Sequence, residues 1–117
     1  MKLKNRARAV QVGPIRSFED VKKHIDRSSR PNLKACRAIS FSGWEAELLV
    51  VRAYEALMEM NPGEILRCET NHITSYPDVH AWVGRNPDFV LLGEDYKDKT
   101  IIYYLTRVRR GERPIDV

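Results

Sequence analysis

Two acidic side chains stand where metal chemistry could be built. Asp88 directly follows Pro87 and heads an apolar run, Phe89-Val90-Leu91-Leu92. Glu45 lies in Ser42-Gly43-Trp44-Glu45, at the head of an amphipathic stretch. Carboxylate oxygens from two elements can hold a hard divalent cation such as Mg²⁺ or Mn²⁺, which in turn can activate water. Such a site also needs a third ligand and a cationic side chain near the attacking water. Asp95-Tyr96-Lys97 has an acid-x-lysine spacing, but it falls within Gly93–Lys99, a polar stretch that reads as a turn. On local pattern alone Glu45 is a helix-capping acid on a solvated face.

Other reactive side chains form no constellation. His24, His72 and His80 lack ligand spacing and read as surface or capping residues. Cys36 and Cys68 are far apart and read as free, buried thiols of a reducing compartment. The positive charge is more informative. The chain carries a net +4, with Lys2, Lys4, Arg6 and Arg8 near one end and Arg107, Arg109, Arg110 and Arg113 near the other. Clustered cations of this kind suit the phosphates of double-stranded DNA; a solubilising tail is the plainer reading.

Positioning these groups falls to a short set of elements. With 117 residues and 43% hydrophobic content, one globular domain is expected. No apolar run approaches the ~20 residues of a membrane span, and the basic amino end leads into no signal-peptide core. Ser17 and Asp20 predict a capped helix to about Asp26, followed by a polar loop, Arg27–Asn32, and an extended segment over Leu33–Phe41. The clearest helix spans Ser42–Met60, capped by Ser42 and Glu45. Its inner face holds Ala46, Leu49, Val50, Ala53 and Leu57; Asn61-Pro62-Gly63 stops it. Glu64–Tyr76 reads as a strand, Tyr76-Pro77-Asp78 as a turn and Val79–Val83 as another short strand. Asn86–Leu92 and Thr100–Thr106 read as a hairpin of buried strands. Trp82, Phe89, Leu91, Ile101 and Tyr103 are its expected core. The whole is an α+β domain with a mixed sheet.

Taken in order, these pieces resemble the TnsA endonuclease amino-terminal family, which includes a transposase-associated nuclease and small head-completion proteins of tailed phages. The similarity runs over about residues 33–110. It rests on Ser42-Gly43-Trp44-Glu45, Asn61-Pro62-Gly63-Glu64-Ile65, Cys68-Glu69-Thr70-Asn71, Asn86-Pro87-Asp88-Phe89 and Thr100–Thr106. The resemblance implies a restriction-endonuclease-like fold, a mixed sheet flanked by helices. A single domain would fill 1–117, with a basic arm at about 1–14 and a basic tail at about 107–117. It also implies that Glu45 and Asp88 are the metal-binding acids, with Asn71 where the family often has glutamine.

The last strand departs from the family pattern. Where an acid and a lysine are expected, this chain has Tyr104 and Thr106. Tyrosine is neutral below about pH 10 and threonine at all working pH, so neither replaces the missing group. The expectation is therefore a catalytically degenerate nuclease-type protein with no cofactor. It would be a structural, DNA-contacting component of a phage head or neck, partnered by portal or neck proteins, in the cytoplasm or the virion. The alternative is an active metal-dependent DNA endonuclease that uses Mg²⁺ or Mn²⁺, with Glu45 and Asp88 holding the ion, Glu69 or Glu94 as a third acid and Arg107 as the cation. The DNA-contacting set would be Lys2, Lys4, Arg6, Arg8, Arg107, Arg109 and Arg110.

Overall fold

A computed structural model describes residues 14–25 and 33–108. Helix α1 (Phe18–His24) leads, followed by strand β1 (Arg37–Phe41), a 3₁₀ turn (Gly43–Leu48) and helix α2 (Leu49–Glu59). Strand β2 (Ile65–Thr70), helix α3 (Ser75–Arg85) and the hairpin β3 (Phe89–Lys97) and β4 (Thr100–Arg107) complete the order. The basic arm, the loop at 27–32 and the tail beyond Val108 lie outside the described residues.

The four strands form one mixed sheet in the order β1-β2-β4-β3. β1 and β2 are parallel, and both pairings of β4 are antiparallel. The domain is thus α+β with a mixed four-stranded sheet and helices packed on it, as the pattern predicts. Strand alternation sorts the faces. Leu66, Cys68, Ile101, Tyr103 and Leu105 join Leu49, Ala53 and Leu57 of α2 and Tyr76, Val79 and Trp82 of α3 in one core. Ile102 and Thr106, of opposite parity on β4, are buried outside that cluster.

Local chemistry explains the ends. Ser17 caps α1: its hydroxyl accepts from the Asp20 amide at 3.3 Å, while the Asp20 carboxylate accepts from the Arg16 amide at 2.8 Å. The latter bond holds the Asp20 carboxyl below its ordinary range. The second helix departs from expectation. Gly43 takes φ +59°, outside the helical region, and the segment it opens, Gly43–Leu48, is 3₁₀; the α-helix begins only at Leu49, so Glu45 lies on the 3₁₀ segment instead of capping the α-helix. Its predicted face holds, with Leu49, Ala53 and Leu57 buried, Val50 half-buried, and Ala56 added; the Ala46 side chain lies outside the described ones.

The expected strand over Val79–Val83 is instead α3, and the strand before it ends at Thr70, not Tyr76. Tyr76, Val79 and Trp82 recur at a helical interval and are all buried. Pro77 sits in the first turn, where its missing N–H has no intrahelical partner to lose, so it starts the helix instead of breaking it.

The hairpin is longer than its sequence suggests. Only Asp98 and Lys99 turn the chain, both at positive φ (52° and 62°), as in a tight two-residue connection whose twist matches the strands. Gly93–Lys97, read as turn, is strand. A register shift between Leu91 and Gly93 leaves Leu92 as the extra residue of a β-bulge. Phe89, Ile101, Tyr103 and Trp82 are buried as expected, and Leu91 is partly so. Leu49 and Leu57 are each 1% exposed. Truncating either to alanine should cost about 2–5 kcal/mol in urea unfolding; near-neutral results at both would remove α2 from the core.

Candidate functional site

Strand register fixes where the two candidate acids lie. Glu45 follows the carboxyl end of β1, which is level with Thr70, Ile101 and Tyr96 across the sheet. Asp88 precedes Phe89, which pairs with Arg107 beside the Ile65–Thr106 pair, at the other end. The sheet therefore holds the two acids at opposite ends of its strands. Glu45 is exposed, and Asp88 is half-buried, with its carbonyl accepting from the Val108 amide at 2.9 Å.

The groups expected to complete the site are engaged elsewhere. Glu69 forms an ion pair with Arg67 at 2.7 Å. Asn71 is exposed just past β2. Tyr104 is half-buried, opposite Arg67 on one side and Gly93 on the other. Thr106 is buried, and its hydroxyl donates to the Glu64 carbonyl at 2.7 Å. Asp95-Tyr96-Lys97 lies on β3, not in a turn, and shares that strand with Phe89 instead of facing it from a neighbour. Among the described residues, no group of three His, Cys, Asp or Glu side chains could hold a metal ion. Among the described residues, the donor set does not fit a bound divalent cation.

Arg107 also has a different role from the one expected. Its Nε donates to the Leu57 carbonyl at 2.9 Å and its Nη2 to the Met60 carbonyl at 2.6 Å. These carbonyls lie at the carboxyl end of α2, where a cation is favoured; the Leu57 carbonyl also accepts from the Met60 amide at 3.2 Å. The guanidinium thus ties β4 to α2. Lys2, Lys4, Arg6, Arg8, Arg109 and Arg110 lie outside the described residues.

Sequence reasoning missed one cluster. On the helix side of the sheet, the Ser75 hydroxyl and the Tyr103 phenol share a hydrogen bond of 2.7 Å. The His80 Nε2 lies 3.3 Å from the Glu94 carboxylate, with both side chains largely enclosed, and the His80 ring packs 4.5 Å from that of Tyr76. Burial first, and then the neighbouring Glu94 carboxylate, push the Tyr76 hydroxyl well above its ordinary range; burial does the same to Tyr103. Ser75 is bonded to Tyr103 and not to His80, so the cluster makes no nucleophile–base pair. It is a polar seam joining α3 to the hairpin. Its one sequence signal is the 76, 79, 80, 82 spacing, readable only once that stretch is known to be helical.

The cysteines divide. Both are free, as expected, but Cys36 is exposed and only Cys68 is buried. Compared with known protein families and with curated proteins, the chain matches none.

Two outcomes follow from this geometry. Arg107→Ala should destabilise the domain by about 2–3 kcal/mol, since two charge-assisted bonds are lost and the Met60 carbonyl loses its side-chain donor. Arg107→Lys should recover part of that loss, because an ammonium lacks the fork that reaches both carbonyls. An unchanged urea midpoint for the alanine variant would contradict the tie. Burial also pushes the Cys68 thiol up from 9.0 to about 12. The folded state then keeps its proton at pH values where the unfolded chain loses it. The Cys68 contribution to stability should be flat below about pH 8.5 and fall above it by up to about 1.4 kcal/mol per unit. Tyr76 and Tyr103 add the same sign above about pH 10. Urea midpoints at pH 7.5, 9 and 10 measure this, and Cys68→Ala should flatten the fall between pH 8.5 and 10.

Proposed function

We propose that this chain is a non-catalytic, DNA-contacting structural protein built on a nuclease-type α+β domain. The observation that carries this reading is the separation of Glu45 from Asp88 by the length of the sheet. Two carboxylates on one divalent ion must both bring oxygens within about 2.0–2.6 Å of it. The family's lysine and second acid are replaced by Thr106 and Tyr104, and Thr106 is committed to the Glu64 carbonyl. The ordered motifs over residues 33–110 support a place among head-completion or neck proteins of tailed phages, next to portal or neck partners. The basic residues near both ends support contact with double-stranded DNA.

The test uses purified protein with linear and supercoiled DNA, in Mn²⁺ or in chelator. DNA should be bound and remain uncut. Arg107 is taken up by α2, so the measurable contribution of the second cluster falls to its neighbours. Exchanging Arg109 and Arg110 for glutamine should weaken binding to all sequences and flatten the log–log salt slope by about 1.8, roughly 0.9 per lost phosphate contact. Mn²⁺-dependent cleavage that disappears in Asp88→Ala would overturn the non-catalytic reading. An unchanged salt slope would remove these arginines from the DNA interface.

A further inference from the structure

The two edges of the sheet are unequally guarded. β3 carries the bulge at Leu92 and charged residues at its far end, Asp95 and Lys97, features that discourage edge-to-edge pairing. β1 has neither a bulge nor a proline. Among the described residues it pairs only with β2, which leaves its outer backbone groups open along five residues. Beside this edge runs a cleft of about 410 Å³ between β1 and the 3₁₀–α2 segment. Ile39, Phe41, Leu48 and Ala56 give it an apolar floor.

The rim charges distinguish one end of the cleft from the other. Arg37 pairs with Glu59 at 3.0 Å near the start of β1, and Arg52 pairs with Glu55 at 3.0 Å on α2. Glu45, past the carboxyl end of β1, has no ion-pair or hydrogen-bonded side-chain partner among the described residues. Among the described residues, the cleft is left with one uncompensated negative charge, and it sits at that end. An open strand edge beside an apolar cleft is the geometry in which an extended peptide adds a strand. Backbone bonds then supply affinity, and every second side chain enters the cleft.

We propose that the β1 edge and its cleft bind an extended segment of a partner protein as a fifth strand. The segment runs antiparallel to β1, the more stable ladder, and presents apolar residues at alternate positions. Charge complementarity places a lysine or arginine at its amino end, against Glu45. The site lies on protein chemistry distinct from the basic ends, so its test is run without DNA and does not depend on DNA binding.

The probe is the blocked hexapeptide Lys-Thr-Val-Thr-Val-Thr, compared with Glu-Thr-Val-Thr-Val-Thr, and the readouts are affinity and amide hydrogen exchange in the full chain. The lysine peptide should bind saturably and slow exchange within Arg37–Phe41. Glu45→Lys, an exposed change whose fold is checked by circular dichroism, should weaken the lysine peptide about five-fold. The same variant should strengthen the glutamate peptide by a similar factor. No saturable binding, protection confined to other strands, or equal loss of both peptides would overturn the proposal. So would protection of Arg37–Phe41 that grows with protein concentration alone and accompanies a dimer in sedimentation, since that would give the edge to a second copy.

Discussion

The last strand of the fold is an interior strand of the sheet, and most of the structure depends on its insertion. β4 bonds to β2 on one side and β3 on the other. Its Ile101, Tyr103 and Leu105 side chains have no measurable exposure. Until it enters, β1-α2-β2 and β3 have no common sheet, and α2 and α3 cover only part of a core. The pairing of Ile65 with Thr106 spans most of the second half of the chain. Closing such non-local contacts costs chain entropy before packing repays it, so the β2–β4 pairing carries more closure cost than the local β3–β4 hairpin. Arg107 secures the strand's end: its guanidinium holds two α2 carbonyls, and its own carbonyl accepts from the Gly63 amide at 2.8 Å.

The bulge at Leu92 decides what the hairpin shows to the helices. Leu91 pairs with Leu105 on the core side. Strict alternation would then send Gly93 and Asp95 inward. One inserted residue reverses the parity, so that Glu94 lies opposite Tyr103 and Tyr96 opposite Ile101. Glu94 thereby meets His80 of α3, and Tyr96 meets Phe18 of α1 at 5.9 Å between ring centroids. A half-buried carboxylate is costly without partners, and here an imidazole and a phenol supply them. The helices are thus placed by apolar burial and given a unique register by a few polar contacts.

What could be read in the sequence follows from how local each cause is. The Ser17 cap, the α2 face and the paired apolar runs are set by neighbours within a few residues, and they were legible. The α3 helix was obscured by Tyr76-Pro77-Asp78, since Pro-Asp reads as a turn unless the proline is seen to fall in a helix's first turn. Gly93-Glu94-Asp95 looked like a loop because its polar residues face either a helix or the open side of a strand, a distinction that needs the bulge. The tie from Arg107 to α2 is not legible in the sequence, because its carbonyl partners lie 50 and 47 residues away. Exposure of Cys36 depends on where β1 begins at the sheet edge, which no residue type announces.

The candidate site shows the same limit from the side of function. Motifs in the right order along a chain are compatible with many folds, whereas metal chemistry requires convergence in space. Here the chain leaves β1 at one end of the sheet to reach Glu45 and enters β3 at the other to carry Asp88. Sliding β3 along β4 could not repair this. A shift of one residue would exchange core and open faces along the whole strand, and moving Asp88 to the far end would need a shift of several. The structural demand on β3, that Phe89 and Leu91 reach the core while Glu94 reaches His80, fixes the position of Asp88 regardless of what the acid could do. Glu45 lies on the rim of the β1 cleft, and among the described residues it has no ion-pair partner there.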